Sequence, residues 1–173
     1  LAICLDKYKD VKKHKTIHHM LTVSNAFFKA YLYPFLSPYH GSVAYYRLNN
    51  ADSIIQRSNY YWTELGNSRY HVPFFLGKDF TISAEYYTNS VEIQNKNNES
   101  ECSWYYLNTL LWKARSFQKD GKVSKSIDVY NQILEVNTLF DTIRGIIKVL
   151  EKDSTAVFYS TYRSVSSVFL IPD

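Results

Sequence analysis

His14 and His18 stand four residues apart, so a helix would present both imidazoles on one face, as half of a zinc site. The resemblance to metal chemistry stops there. Lys15 occupies the place where a metalloprotease carries its general-base Glu, and no third ligand follows at a metal-binding interval. Solvated histidines on a basic helix are the expectation. Cys4 and Cys102 lie 98 positions apart, with neither metal spacing nor a disulfide framework. Two free thiols are expected, with a single disulfide as the alternative. Asp52, Glu64, Asp79, Glu85 and Glu92 show no pairing that would favour acid–base work. The five glycines are scattered singly, which builds no phosphate loop, and no Gly-x-Ser-x-Gly elbow occurs. The expectation is a non-catalytic protein with no cofactor and no metal.

The elements that must carry these residues read as helices. At 173 residues, with 46% hydrophobic and 21% charged, the chain is long enough to bury a core of its own. Sixteen Tyr and ten Phe imply a core or binding face made of flat, amphipathic rings. Five Gly and four Pro are too few for a sandwich or barrel, which would turn every 8–12 residues or so. No apolar run approaches the roughly 18 residues of a membrane span. Of the net charge of +4, +3 lies in the first 20 residues, where Lys7, Lys9, Lys12, Lys13 and Lys15 face Asp6 and Asp10. A nucleic-acid binder would spread such residues along a face, so nucleic acid is not the expected partner, and residues 1–20 read as a solvated basic segment. The chain opens at Leu1 rather than Met, as a fragment or processed product would. Asn98-Glu99-Ser100 is a glycosylation sequon, a triplet common by chance, and a cytoplasmic setting is expected.

Apolar periodicity places a first helix over residues 10–35, ended by a break at Pro34, Ser37, Pro38 and Gly41. Leu48, Ala51, Ile55, Trp62 and Leu65 suggest one long helix or two joined near Ser58. Residues 67–77 are mixed, because Pro73 disfavours a helix while Phe74-Phe75-Leu76 must be buried. Further helices are expected over 79–94 and 103–118, with the polar stretch 95–100 between them. Asp120-Gly121 marks a turn. Ser124 would cap the next helix, whose buried stripe is Ile127, Tyr130 and Leu134. After Asn137 another helix carries Phe140, Ile143, Ile147 and Leu150. In the tail, Phe158, Tyr162, Val165 and Phe169 keep helical spacing. About seven helices joined by short turns imply one all-α domain, residues 1–173, of antiparallel hairpins stacked as a solenoid or packed as an irregular bundle.

One stretch is more specific. Small Ala114 is followed by Phe117, Gly121, small Ser126 and Tyr130, the order that lets two antiparallel helices cross closely while aromatics fill the space on either side. Gly121 supplies the unusual backbone a tight turn needs. This order resembles the tetratricopeptide repeat, whose motif has small residues at its eighth and twentieth positions, aromatics at its eleventh and twenty-fourth and Gly at its fifteenth. Leu110, Lys113 and Thr138 depart from it, standing where the motif has Trp, Leu and Pro. A second copy upstream is suggested by Trp62, Leu65 and Gly66 and by Gly77 leading into Ser83, Tyr87 and Ser90. Together the two copies cover residues 62–137. Ser83 to Ser126 spans 43 positions, the extra length lying in the polar loop 95–100.

The resemblance implies a concave face lined by the first helix of each hairpin. Carried onto this sequence, the family's groove positions are Asn108, Leu111, Arg115, Gln118 and Lys119 in one copy and Tyr60, Thr63, Asn67, Tyr70 and His71 in the other. Asn can hold a peptide backbone, Arg115 with Lys119 could grip a carboxylate, and Tyr60 and Tyr70 offer aromatic area. The implied function is a scaffold or adaptor that binds a protein or peptide, acidic or with a C-terminal carboxylate, and can serve as one subunit of a larger complex. A ligand-sensing regulatory domain of a larger protein is the alternative, and a helical hydrolase or nuclease the third reading.

Overall fold

The computed structural model describes residues 12–72, 74, 77–99 and 103–155. Cys4, Cys102, Pro73, Phe75, Leu76, residues 1–11 of the basic segment and the tail positions Phe158 to Phe169 lie outside the described residues. Every described element is helical, as the sparse Gly and Pro imply. The α-helices are α1 (Lys12–Leu32), α2 (Ser37–Asn49), α3 (Ser53–Gln56), α4 (Asn59–His71), α5 (Phe80–Lys96), α6 (Trp104–Lys119), α7 (Val123–Val136) and α8 (Asp141–Lys152), with a 3-10 turn at Pro34–Leu36. The chain forms two compact units, Leu1–Leu65 and Gly66–Asp173.

In the first unit α1 and α2 pack as a hairpin over a core of Met20, Val23, Leu48, Ala51, Ile55 and Tyr61. The break anticipated at Pro34–Gly41 is tighter than the sequence suggests. The helix resumes at Ser37 with Pro38 in its first turn, where a missing N–H costs nothing. The segment 48–65 is cut twice rather than once. Asp52 accepts from the Ile54 and Ile55 amides at 3.1 and 3.0 Å, nucleating the short α3, and α4 starts afresh at Asn59. Asp52 also pairs with Lys15 of α1 at 2.5 Å, and Ser24 donates to Glu64 at 2.9 Å.

The second unit stacks the end of α4 with α5, α6, α7 and α8. Its core joins Val91, Leu107, Leu110, Leu111, Ala114, Val129, Tyr130, Ile133, Ile143 and Leu150. Asp79 caps α5 through the Ile82 amide (2.9 Å) and Ser103 caps α6 through the Tyr106 amide (3.2 Å). At the α6–α7 turn Gly121 adopts φ +76°, and the Lys122 amide reaches back to the Phe117 carbonyl at 2.9 Å, a Schellman closure. That closure leaves Ser124 inside α7, which begins at Val123 without a side-chain cap, so the capping role expected of Ser124 is not realised. The buried face of α7 is Ser126, Val129, Tyr130 and Ile133, with Ile127 and Leu134 at its margin.

Both hairpins of this unit cross in the same way. Ala114 and Ser126 are fully buried, and the Ser126 hydroxyl donates to the Ala114 carbonyl at 2.9 Å. In the preceding hairpin the Ser83 hydroxyl donates to the Gly66 carbonyl at 3.0 Å. Four residues after each serine, Tyr87 and Tyr130 lie buried and send their hydroxyls to Asn67 (2.7 Å) and Gln118 (3.3 Å). Between the hairpins, Ser83 and Ser90 of α5 face Thr109 and Ser116 of α6, with the two serine oxygens of Ser83 and Ser116 at 3.1 Å. A Cβ on Gly66 would stand 2.7 Å from the Tyr87 ring, which its hydroxyl bond to Asn67 holds in place. Gly145, on the exposed face of α8, has nothing within 4 Å. Gly66→Ala is therefore expected to lower stability by roughly 1–3 kcal/mol through overpacking, while Gly145→Ala raises it by roughly 0.5–1 kcal/mol. Chemical denaturation of the two variants checks the opposite signs.

Candidate functional site

The α6 stripe Asn108, Trp112, Arg115 and Lys119 repeats at intervals of four, three and four, so these side chains leave one side of the helix. Arg115 follows Ala114 of the crossing and is drawn inward, with only 9% of its surface exposed. Its guanidinium lies over the Trp112 ring, 4.8 Å from the centroid. Trp112 in turn meets Tyr70 and His71, the last two residues of α4, with centroids 5.0 and 4.8 Å away at steep angles. Phe80 closes the group against Tyr70 at 5.3 Å, and the Lys78 ammonium stands 5.8 Å above Phe80.

The electrostatics of this cluster are one-sided. Arg115 hydrogen-bonds the Tyr130 hydroxyl, yet its Nη2 is buried without a partner, and no carboxylate pairs with it among the described residues. Cation–π contact with Trp112 contributes on the order of 0.5–2 kcal/mol, against several kcal/mol for desolvating an ion. Burial raises the Tyr70 and Tyr130 hydroxyl pKa values, and the Arg115 charge opposes both shifts. His71 keeps its outer edge in solvent, but its ring is enclosed by Tyr70 and Trp112. That enclosure, with the positive charges of Lys78 and Arg115, lowers its pKa to about 4. The site is thus a neutral imidazole, an uncompensated guanidinium and a frame of aromatic rings.

The structure brings Tyr70 and Arg115 into this one cluster. Asn108 lies two turns up the stripe, half-buried, its Oδ1 without a partner. Gln118 and Lys119 line a separate open depression of about 610 Å³ at the α6–α7 turn, with Gly121, Ser124, Ser154 and Thr155. Asn67 is occupied by the Tyr87 hydroxyl. Leu111 is fully buried in the core. Tyr60 is 40% exposed and belongs to the first unit. Trp112, Lys78 and Phe80 were not among the residues that the repeat pattern singles out. The signal for Trp112 was its place between Asn108 and Arg115 at helical spacing. Among the described residues no three His, Cys, Asp or Glu side chains gather as a metal site, and no helix is long and apolar enough to cross a membrane. No family model, curated protein or solved structure matches the chain.

An imidazole held below its ordinary pKa binds fewer protons in the folded chain than in the unfolded one, so acidification favours unfolding. For His71 the window runs from the ordinary value of 6.5 down to about 4. His19, lowered by burial in the first unit, acts in the same sense. The depressed carboxylates of Asp52, Asp120 and Asp153 lose their contribution only below the ordinary value of 3.8. The thermal midpoint is expected to fall from pH 7 to pH 5, and His71→Asn to make that fall shallower. A variant with the unaltered slope would remove His71 as a cause.

Proposed function

We propose that the chain is a non-catalytic, tetratricopeptide-like module that binds an acidic peptide or a peptide's C-terminal carboxylate on the α4 and α6 face of its second unit. The observation that carries this reading is the buried Arg115 guanidinium with an unpartnered Nη2 and no carboxylate of its own. A ligand carboxylate would supply the missing countercharge through charge-assisted hydrogen bonds. Its entry requires the Trp112 and His71 rings, neither of which is fully buried, to part. Asn108 offers a carbonyl acceptor for a ligand amide, and Lys119, one turn beyond Arg115, a second cation. The repeated serine-to-carbonyl crossing supports the repeat part of the proposal, since both hairpins present their first helix to the same cluster through Tyr70 and Trp112.

A second reading, a ligand-sensing domain closing around a short peptide, draws on the burial of Tyr70 and Arg115, at 8% and 9% exposure. Both readings need the guanidinium, and they differ in ligand length. The test is a library of short acidic peptides, each with a free or amidated C-terminus, followed by Trp fluorescence because Trp112 stacks on Arg115. Free-carboxylate peptides are expected to bind, and Arg115→Ala with Lys119→Ala to weaken them by roughly tenfold to a few hundredfold, the scale of a charged hydrogen bond lost. Unchanged binding by the double variant would refute the assignment. Saturation by the shortest peptides would favour the sensing domain, and affinity growing with length the scaffold.

A further inference from the structure

The first unit carries an apolar feature of a different kind. From Tyr31 to Leu36 six consecutive residues are exposed, Tyr31 at 82% and Phe35 at 100%. Phe28, one turn before Tyr31, and Tyr39, in the first turn of α2, are exposed as well, at 59% and 66%. Here α1 ends, the 3-10 turn follows and α2 begins, so the residues sit at the apex of a hairpin. A helix that docks on a rigid partner concentrates its apolar residues on one side. At this apex the backbone turns through the apolar stretch, and rings project on all sides of it. A flat protein face would cover only part of them. A bilayer interface envelops such a wedge, taking Phe35 and Leu36 into the acyl boundary while Tyr31, Tyr33 and Tyr39 keep ring and hydroxyl at headgroup level.

Charge points the same way. No Asp or Glu occurs between residues 11 and 51, while Lys29 is exposed in the last turn of α1, beside Tyr31 to Leu36. Residues 1–65 carry eight Lys and Arg against four Asp and Glu, whereas residues 66–173 carry twelve of each. The net charge of +4 therefore belongs to residues 1–65, although Lys12, Lys13 and Lys15 stand at the end of α1 away from the apex, and Lys29 is the cation beside it among the described residues. A cation beside an interfacial wedge, with no nearby carboxylate in the hairpin to offset it, adds attraction to anionic lipid. We propose that the Tyr31–Leu36 apex docks the protein peripherally on an anionic lipid bilayer surface.

The test is flotation of the full chain with phosphatidylcholine vesicles, with and without phosphatidylserine. Binding is expected to the mixed vesicles, to weaken at high salt, and to fall by on the order of tenfold or more in Phe35→Ser with Leu36→Ser. Both residues are exposed, so the circular dichroism spectrum and thermal midpoint should not change. No binding to the mixed vesicles, or equal binding by the variant, would overturn the proposal. A concentration-dependent dimer abolished by the variant, without lipid binding, would assign the apex to a second copy instead. None of these outcomes bears on Arg115, which lies in the other unit.

Discussion

A serine hydroxyl donating to the carbonyl of a small residue on the facing helix is the contact on which the second unit depends. It occurs only where two backbones come close, and at Ala114 and Ser126 neither side chain stands in the way. A main-chain carbonyl within a helix keeps a spare lone pair, so the extra bond does not disturb the helix that supplies it. The contact fixes the register as well as the distance. With Ser126 set against Ala114, Tyr130 lies one turn further along α7, which brings its hydroxyl to Gln118 and to the guanidinium of Arg115. The polar end of the core is therefore positioned by the crossing.

The preceding hairpin uses the same chemistry with Gly66, Ser83 and Tyr87. Because Gly66 has no side chain, the Tyr87 ring lies closer to the facing backbone than a Cβ would allow. The hairpins differ chiefly in their connections. Ser126 follows Ala114 by 12 positions across a tight Schellman turn, whereas Ser83 follows Gly66 by 17, through Gly77 at φ +91°. Their interface is lined by Ser83, Ser90, Thr109 and Ser116, so short side chains recur between the hairpins as well as within them. A small-residue pattern that serves two kinds of contact explains why the segment reads as a repeat although its lengths are uneven.

Much of this was legible in the sequence, and the failures have local causes. The helices with clean caps, α5 after Asp79 and α6 after Ser103, fell where periodicity placed them. Pro34 and Pro38 were harder, because a proline ends one helix and opens another equally well, and only the tertiary path decides. Ser124 lost its expected role to a backbone closure two residues earlier, which needs no side chain and so leaves no mark beyond Gly121. The site shows the limit of carrying motif positions across. Leu111 and Trp112 are adjacent, yet a step of about 100° around the helix puts one in the core and the other against Arg115. The sequence pattern marked Arg115 and Tyr70, while their contact through Trp112 depends on how two hairpins stack, information that is not local to either.

Arg115 raises a question that stability alone does not answer. A methionine or leucine could lie over Trp112 and fill the same volume without the cost of desolvating a cation. The neighbourhood makes that cost larger, since Lys78 adds like charge and His71 is driven to its neutral form. The Tyr130 hydroxyl and the Trp112 face recover only part of it. Among the described residues Ser83, Ser116 and Ser126 find partners, whereas the guanidinium, like Oε1 of Gln94 and Oδ1 of Asn108, keeps a buried polar atom without one, and it alone of the three carries a charge. Conflicts of this sort between folding and residue choice are what binding sites exhibit, because the missing partner arrives with the ligand. The serine crossings hold the backbone that carries Arg115, a folding requirement; under the proposed function a bound carboxylate would balance its charge, and the two demands would then fall on adjacent residues of a single helix.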